Sequence, residues 1–214
     1  MPPGLIRYHH TDAYPQALPL ATAHALLSPE EKTRAARFHF DTDRHRWIRG
    51  RAWIRQELAL LLHTSAAHLH ITAEPNGRLY LPNYRHLDFN LSHTGPWIAL
   101  ATTTTGRIGL DLETIDPAFP AREIATEYFL PSETAWLAHG PIERFFHLWT
   151  AKEALMKATG QGFLLPPNQI LVNLQDNRPT SATNLLTGST HPLTLHPSPA
   201  GTLATSILIP HSPP

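Results

Sequence analysis

Residues 108–113 read Ile-Gly-Leu-Asp-Leu-Glu, a strict alternation of aliphatic with small or acidic residues. Successive side chains of a β-strand point to opposite faces, so the three aliphatic residues share one face, while Gly109, Asp111 and Glu113 share the other. Two residues of strand span about 6 to 7 Å, so both carboxylates can reach one hard cation. An edge strand whose acidic residues simply face water is the alternative. The stretch therefore predicts a strand with a candidate cation site.

A charged helix is predicted further along the chain, at residues 143–159. It carries Lys152, Glu153 and Lys157, and the only other lysine of the chain is Lys32. Glu153 and Lys157 lie one helical turn apart on the same face, and a lysine ammonium is a mobile point charge suited to phosphate. An ordinary surface ion pair is the alternative. The helix therefore offers a third candidate carboxylate and a candidate phosphate ligand.

A third polar segment lies at residues 90–95, which read Asn-Leu-Ser-His-Thr-Gly at the end of an apolar strand. Hydroxyl, imidazole and backbone N–H donors of this kind can hold a phosphate. No glycine stands two residues before Ser92, so the nucleophile elbow of a serine hydrolase is not expected. Walker A, dinucleotide-binding and His-Glu-x-x-His patterns do not occur in the sequence.

The surrounding sequence predicts an α+β fold. Ser28-Pro29-Glu30-Glu31 has the form of a capped helix start, and a second helix from about Asp43 to Leu62 carries arginines on its polar face. Further helices are expected at 122–129 and 132–138, and strands at 68–72, 79–81, 88–91, 97–102, 108–113, 170–174, 193–195 and 203–209. Helices followed by strands, twice over, predict two similarly built halves, residues 1–104 and 105–214.

Composition narrows the class of protein. The chain has 214 residues, 42% hydrophobic, with 17 basic and 17 acidic residues and no cysteine. Such a chain can bury a core, and without cysteine it carries no disulfide or thiolate zinc site. Zero net charge argues against nucleic acid or a membrane surface as the partner, although residues 32–55 are locally cationic, which fits either a solvated helix face or an anion site. We therefore expect a cytoplasmic protein with no membrane span.

Taken together, four segments in this order resemble the 4′-phosphopantetheinyl transferases of the larger, Sfp-type group. The family's characteristic elements match Pro29–Arg34 with Arg37-Phe38, Asn90–His93, Gly109–Glu113, and Trp149–Lys157 followed by Gly160-Gln161-Gly162. The resemblance covers residues 28 to 162. It departs at Gly77-Arg78-Leu79, where many relatives have Gly-Lys-Pro, and at Glu31, where some have lysine.

The resemblance implies two similar α+β halves related by a pseudo-two-fold, with the active site in the cleft between them. It implies coenzyme A as donor and a serine of an apo acyl, peptidyl or polyketide carrier protein as acceptor, with 3′,5′-ADP released. Mg²⁺ is the expected cofactor and Mn²⁺ the alternative, because carboxylates plus substrate phosphates suit a hard cation. Since both halves of one chain would supply the cleft, we expect a monomer.

The resemblance also implies a role for each candidate residue. Asp111, Glu113 and Glu153 are the expected metal ligands, and Glu153 is ranked ahead of Asp111 as the base that takes the serine proton. Lys157 is assigned to the pyrophosphate, also as a catalytic residue. The remaining coenzyme A ligands are expected to be Arg34, Ser92 and His93 for the 3′-phosphate and ribose, Gly77 and Arg78 near the adenine, Asn90 beside them, and Lys152 as a weaker candidate.

Two alternatives remain open from the residues. A Mg²⁺-dependent nucleotide phosphodiester hydrolase would also use three carboxylates and basic residues, but would need no carrier protein. A non-catalytic module could bind coenzyme A or a carrier without turnover. How the 3′-phosphate is held, with Glu31 and Trp47 at positions near it, is not decided by the sequence.

Overall fold

The computed structural model describes residues 5–13, 18–199 and 201–210. The helices are α1 Leu20–Ala25, α2 Pro29–Ala35, α3 Asp41–Leu62, α4 Ala121–Tyr128, α5 Pro131–Ala138 and α6 Glu143–Thr159. The strands are β1 Leu5–His10, β2 Thr72–Ala73, β3 Leu79–Tyr80, β4 Asp88–Thr94, β5 Trp97–Thr103, β6 Gly106–Thr114, β7 Ile170–Gln175, β8 Arg178–Asn184, β9 Thr190–His196 and β10 Thr202–Pro210. Short 3₁₀ turns lie at Ala66–His68, Gly162–Leu164 and Pro167–Gln169.

The strands form two main antiparallel sheets and a short β2-β3 ribbon. One sheet has the order β1-β5-β4, and the other has the order β6-β10-β9-β8-β7. Each sheet is covered by one long helix, α3 in the N-terminal half and α6 in the C-terminal half. The predicted α+β architecture of two similar halves is thereby confirmed.

In the N-terminal half, α3 buries its apolar side against β4 and β5. Trp53, Ile54 and Leu58 pack with Phe89 and Leu100 in one core cluster. Removing such aliphatic and aromatic area from water stabilises the half by roughly 25 cal/mol per Å². The polar side of the same helix is left to face a neighbouring cavity.

The short helix α2 begins with a complete capping box. The Ser28 hydroxyl accepts from the Glu31 backbone N–H, and the Glu31 carboxylate accepts from the Ser28 N–H. These reciprocal bonds satisfy two of the free donors at the helix start. The helix start predicted from Ser28-Pro29-Glu30-Glu31 is therefore confirmed, and Glu31 is fixed in place.

In the C-terminal half, α6 lies directly on β6. A Cβ at Gly109 would overlap the Ala154 carbonyl oxygen and the Ala158 amide, so only glycine allows this approach. Gly109 thus makes room for the helix backbone, and the acidic face of β6 is turned toward the polar residues of α6. Close approach of these two elements builds the site.

The two sheets meet at β4 and β6 without a backbone ladder between them. Instead, Asp88, Asn90 and Thr94 of β4 accept hydrogen bonds from the backbone N–H groups of Ile108, Leu110 and Thr114. Alternate N–H groups of β6 point away from its partner β10, and these side chains satisfy them. We call this contact the seam.

Several sequence expectations were wrong or incomplete. The strand expected at 68–72 is a 3₁₀ turn at Ala66–His68 followed by only the two residues of β2. Strands β1 and β8 and helix α1 were not predicted. The boundary between residues 104 and 105 stays a prediction, and the outer ends of both predicted ranges lie outside the described residues. Among the helices that the structure describes, none is both long and apolar enough to cross a membrane.

Candidate active site

Three polar side chains from three elements meet at the seam. The Lys157 ammonium of α6 lies 2.6 Å from Asp111 Oδ1 of β6. The Ser92 hydroxyl of β4 donates to the same oxygen at 2.9 Å, and Lys157 Nζ lies 3.2 Å from Ser92 Oγ. We call Ser92, Asp111 and Lys157 the seam cluster. Residues from both halves are thus brought together as the sequence predicted.

Asp111 has an incomplete set of partners. Its residue is only 3% exposed, and its Oδ2 is buried without a hydrogen-bond partner among the described residues. A buried carboxylate oxygen without a donor costs about 1–3 kcal/mol or more. The position is therefore suited to an added cation or proton donor.

Glu113 and Glu153 stand close enough to Asp111 to respond to its charge. Burial raises the pKa of Glu113 to about 7, and the Asp111 charge adds to the rise, while Lys157 and a hydrogen bond from Trp149 oppose it. Burial and Asp111 also raise the pKa of Glu153, against the pull of Lys157. The like charges of these three carboxylates disfavour their ionised forms. A cation bound between them would favour the ionised forms instead.

The predicted metal ligands fit a hard cation by chemistry but are not arranged around one point. Within the described ranges, no group of three or more His, Asp or Glu side chains could hold a metal ion as placed. One oxygen of Asp111 is instead paired with Lys157, and the other has no partner. The donor set and the free buried oxygen fit Mg²⁺, provided that the side chains converge and that substrate oxygens complete the coordination.

A cavity of about 690 Å³ opens beside the cluster in the N-terminal half. Its walls come from α2, α3, the turn before β3, and strands β4 and β5. Of the predicted ligands, it is lined by Arg34, Gly77, Arg78, Asn90 and His93. Its size suits a nucleotide-sized ligand. Further cationic and aromatic lining residues are Arg46, Trp47, Arg51 and Trp97.

The assignment of Lys152 to coenzyme A is contradicted by its position. Its ammonium lies 2.8 Å from Glu133 Oε2 and donates to the carbonyls of Pro167 and Ile170, inside the C-terminal half. The Lys152 side chain is 1% exposed. Consecutive residues of a helix point about 100° apart, so Lys152 faces away from the side shared by Glu153 and Lys157. Lys152 therefore holds the core together and cannot reach a ligand.

Two further candidates are largely engaged in the seam. The Arg78 guanidinium bonds Asp88 Oδ2 at 2.6 Å, the Ile108 carbonyl at 2.7 Å and the Lys157 carbonyl at 2.7 Å. The Asn90 amide oxygen accepts from the Leu110 N–H at 2.9 Å. The Arg78 side chain is thus occupied by seam contacts, which leaves the backbone at Gly77 and Arg78 as the part of this turn available to a ligand in the cavity.

Sequence reasoning missed three contributors to the site. Asp88 joins the halves through Arg78 and the Ile108 N–H, Trp149 lies close enough to Glu113 to lower its pKa, and Arg51 lines the cavity beside Trp47. Trp47 and Arg51 are four residues apart on a predicted helix, so their common face was available as a signal. The other two depend on contacts between distant segments.

Comparison with known proteins agrees with this architecture. Residues 14–105 match the family model described as 4′-phosphopantetheinyl transferase, N-terminal, and residues 107–207 match that of the 4′-phosphopantetheinyl transferase superfamily. The chain is 32% identical over 157 residues to a 4′-phosphopantetheinyl transferase of Bacillus subtilis, covering 72% of this chain and 69% of that protein.

Two cyanobacterial relatives give the same result. Identity is 37% to the transferase HetI of Nostoc, over 64% of this chain and 61% of that protein. It is 34% to a putative transferase of Synechocystis, over 69% of this chain and 62% of that protein. The matched region thus spans about two-thirds of each relative. The chain belongs to the 4′-phosphopantetheinyl transferase superfamily, a family of transferase enzymes, as the sequence motifs predicted.

Proposed function

We propose that this chain transfers the 4′-phosphopantetheine group of coenzyme A to a serine hydroxyl of an apo carrier protein. The observation that carries the proposal is the seam cluster, in which Lys157 and Asp111 of one half meet Ser92 of the other next to a cationic cavity. The names of the similar proteins support the same reaction. The acceptor is an acyl, peptidyl or polyketide carrier.

The donor would span the cavity and the seam. Its adenine lies near the turn at Gly77, where glycine adopts a φ of 86° and no side chain stands between the backbone and the cavity. The exposed His93 and Arg34 both line the cavity and face the ribose and 3′-phosphate. The pyrophosphate reaches the Lys157 ammonium, whose side chain is 28% exposed and so remains accessible. Ser92, which the sequence assigned to the 3′-phosphate and ribose, lies instead next to this ammonium and adds its hydroxyl there.

The reaction is a substitution at the phosphorus that carries the pantetheine arm. The serine oxygen forms a bond to this phosphorus, and the bond from phosphorus to the bridging pyrophosphate oxygen breaks, which releases 3′,5′-ADP. Glu153 takes the serine proton, and its raised pKa brings it closer to the operating pH of a general base. Lys157 balances negative charge on the departing phosphate.

Asp111, Glu113 and Glu153 would hold Mg²⁺, or Mn²⁺ as the alternative, together with oxygens of the bound pyrophosphate. When bound, the ion supplies charge neutralisation at the phosphate oxygens. Binding requires Lys157 to give up part of its contact with Asp111 and turn toward the pyrophosphate. The buried, unpartnered Oδ2 of Asp111 supports this arrangement.

The setting of the reaction is proposed from the sequence. Zero net charge and the lack of cysteine favour a cytoplasmic protein that has neither nucleic acid nor a membrane as its partner. Because residues of both halves of one chain form the site, we propose that it acts as a monomer. Size-exclusion chromatography with light scattering checks the oligomeric state.

Intact mass spectrometry of several apo carriers tests the function. Each carrier is incubated with the protein, coenzyme A and Mg²⁺, with parallel samples containing Mn²⁺ or a chelator. We expect a mass gain of one phosphopantetheine group that disappears with chelator. Coenzyme A binding without a gain on any carrier would instead indicate a non-catalytic binding module.

A further inference from the structure

The Arg78 guanidinium is buried at the seam, and the reaction described above gives it no role. Its side chain is 5% exposed. Nη1 donates to the Lys157 carbonyl at 2.7 Å. Nη2 donates to the Ile108 carbonyl at 2.7 Å and to Asp88 Oδ2 at 2.6 Å. One planar group therefore joins the turn before β3 to β4, β6 and α6.

The contact with α6 lies at the free end of that helix. Lys157 is in the last turn, since α6 ends at Thr159. The last carbonyls of a helix lack partners further along the helix, and a cation at this end is favoured by the helix dipole. The Lys157 carbonyl accepts from the Gly160 N–H at 3.2 Å and, more closely, from Arg78. Arg78 thus holds the backbone of the residue whose ammonium belongs to the seam cluster.

The same guanidinium sets the spacing between α6 and β6. Because Nη1 and Nη2 belong to one rigid planar group, the carbonyls of Lys157 and Ile108 are held at a fixed separation. Ile108 lies three residues before Asp111 on β6, and Asp111 Oδ1 lies 2.6 Å from the Lys157 ammonium. Arg78 therefore ties the backbone of this lysine to the strand that carries its carboxylate partner.

A second contact joins the same turn to the end of α6. The Asn76 amide donates to the Gly160 carbonyl at 2.6 Å, and its oxygen accepts from the Arg78 N–H at 3.0 Å. Gly77 and Arg78 also line the 690 Å³ cavity. One turn of the N-terminal half thus borders the cavity and holds the helix end of the other half.

We propose that Arg78 is a positioning residue for Lys157: by holding the last turn of α6 against β6, it keeps the Lys157 ammonium where it meets the pyrophosphate of the donor. The inference rests on the proposed function, in which Lys157 is the pyrophosphate ligand. Without the guanidinium, the end of α6 can shift relative to β6. A shift of about 1 Å in a catalytic group can lower a rate by about 100-fold.

A double-mutant cycle between Arg78 and Lys157 tests the proposal. The single-turnover transfer rate to an apo carrier is measured at saturating coenzyme A for the wild type, Arg78→Met, Lys157→Ala and the double variant. Arg78→Met should lower the rate about 10- to 100-fold in the wild type but less than about threefold in Lys157→Ala, because the lysine that it positions is gone. Equal losses in the two backgrounds would mean that Arg78 acts only on the fold, and would overturn the proposal.

Glu74→Gln is the matched control from the same turn. Glu74 pairs with Arg107 of β6 at 2.7 Å, so this pair also joins the two halves, but its side chains are 31% and 36% exposed. An exposed pair contributes little, so the control should keep a transfer rate within about twofold of the wild type. A loss in Glu74→Gln as large as that in Arg78→Met would show that any weakened contact between the halves has this effect, and would overturn the specific role of Arg78.

Two further variants keep the test decisive if Arg78→Met does not fold, which circular dichroism checks. Arg78→Met combined with Asp88→Asn leaves no unpaired charge, and the asparagine oxygen can still accept from the Ile108 N–H. This pair of changes should show the same dependence on Lys157. Arg78→Lys keeps the charge but not the planar fork, so its loss should be intermediate in the wild type and small in Lys157→Ala.

The wild type separates this inference from the function on which it rests. Transfer by the wild type with equal losses in both backgrounds would overturn the role of Arg78 and leave the transferase function standing. Failure of the wild type to modify any carrier would contradict the proposed function. Calorimetry with coenzyme A on the same four proteins then decides on Arg78, since affinity losses that simply multiply would overturn its action through Lys157.

Discussion

Lys152 and Lys157 lie five residues apart on the same helix, and each is paired with a carboxylate, yet their surroundings differ completely. Lys152 lies 2.8 Å from Glu133, with the side chains 1% and 2% exposed. Lys157 lies 2.6 Å from Asp111 and keeps a 28% exposed side chain at the seam between the halves. One lysine is enclosed in a single half, and the other stands at the contact between the two halves with part of its side chain open to solvent.

The comparison shows that an ion pair alone does not indicate function. Glu133 also accepts from the Leu130 and Val172 N–H groups, so its pair with Lys152 is fully hydrogen-bonded and closed to ligands. Asp111 keeps one unpartnered buried oxygen, and its partner lysine is accessible. Unsatisfied donors and acceptors next to open space distinguish the candidate active site from the structural pair.

The largest expected effect comes from changing Glu153, which lies between Lys152 and Lys157 in the sequence of α6. Glu153→Gln should lower the single-turnover transfer rate by about a thousandfold or more, because the amide cannot take the serine proton and is a weaker cation ligand. Coenzyme A affinity should largely survive. Glu143→Gln, on the exposed first turn of α6, is the control and should stay close to wild type. A near-normal rate for Glu153→Gln would remove it from both roles.

Lys152→Ala should reduce the free energy of unfolding by about 3–5 kcal/mol, because it leaves the buried Glu133 charge without its partner. Urea denaturation followed by circular dichroism measures the loss. The double variant Lys152→Met with Glu133→Gln should recover part of it, since no buried charge remains. A loss below about 1 kcal/mol would show that the pair contributes little to the core.

Lys157→Ala should instead act mainly on the ligand. Coenzyme A affinity and the transfer rate should each fall about 10- to 100-fold, because the pyrophosphate loses a charged partner. The loss of stability should be smaller than for Lys152→Ala, since water reaches the exposed side of the pair. Calorimetry with coenzyme A, run beside urea denaturation, measures both. Unchanged affinity and rate would reject the pyrophosphate assignment.

The smallest effect concerns pH. The pKa of Glu113 is raised in the fold to about 7, so between its ordinary value and 7 the folded state binds more protons than the unfolded state. Its contribution to stability is therefore present at low pH and is lost as the pH rises through 7. The melting temperature of Glu113→Gln minus that of the wild type should therefore be larger at pH 8 than at pH 5.

This comparison is made in chelator, so that no cation stabilises the carboxylate. Differential scanning calorimetry of both proteins across this pH range measures the difference. If the difference between variant and wild type does not change with pH, the Glu113 carboxyl is not held in a perturbed environment.

Much of the fold followed from local pattern. Helix α6 was predicted at its observed limits, and the alternation at 108–113 correctly gave the strand of Asp111. Strand β8 was missed because Arg178–Asn184 contains Pro179 and lacks an apolar alternation that would indicate a strand. Local sequence also could not reveal that β4 side chains replace a backbone ladder at the seam.

The candidate site could be predicted where the spacing of residues along one strand or helix determines which way their side chains point. Ser92, Asp111 and Lys157 were each proposed as site residues, in different roles, and the structure brings the three side chains together. Lys152 was misassigned because its partner Glu133 lies on another helix, and no local spacing joins the two residues. The contacts of the Arg78 side chain across the seam could not be predicted for the same reason, since its acceptors come from distant strands and from the end of α6.

We propose that the site at the seam cluster transfers a group to a carrier and does not hydrolyse the donor. The most direct test of this proposal is one time course in which chromatography measures 3′,5′-ADP released and intact mass measures phosphopantetheine gained by an apo carrier. We expect equal amounts of the two products, with neither formed when the carrier is omitted. Release of 3′,5′-ADP without a gain on the carrier would contradict the proposal and indicate a phosphodiester hydrolase.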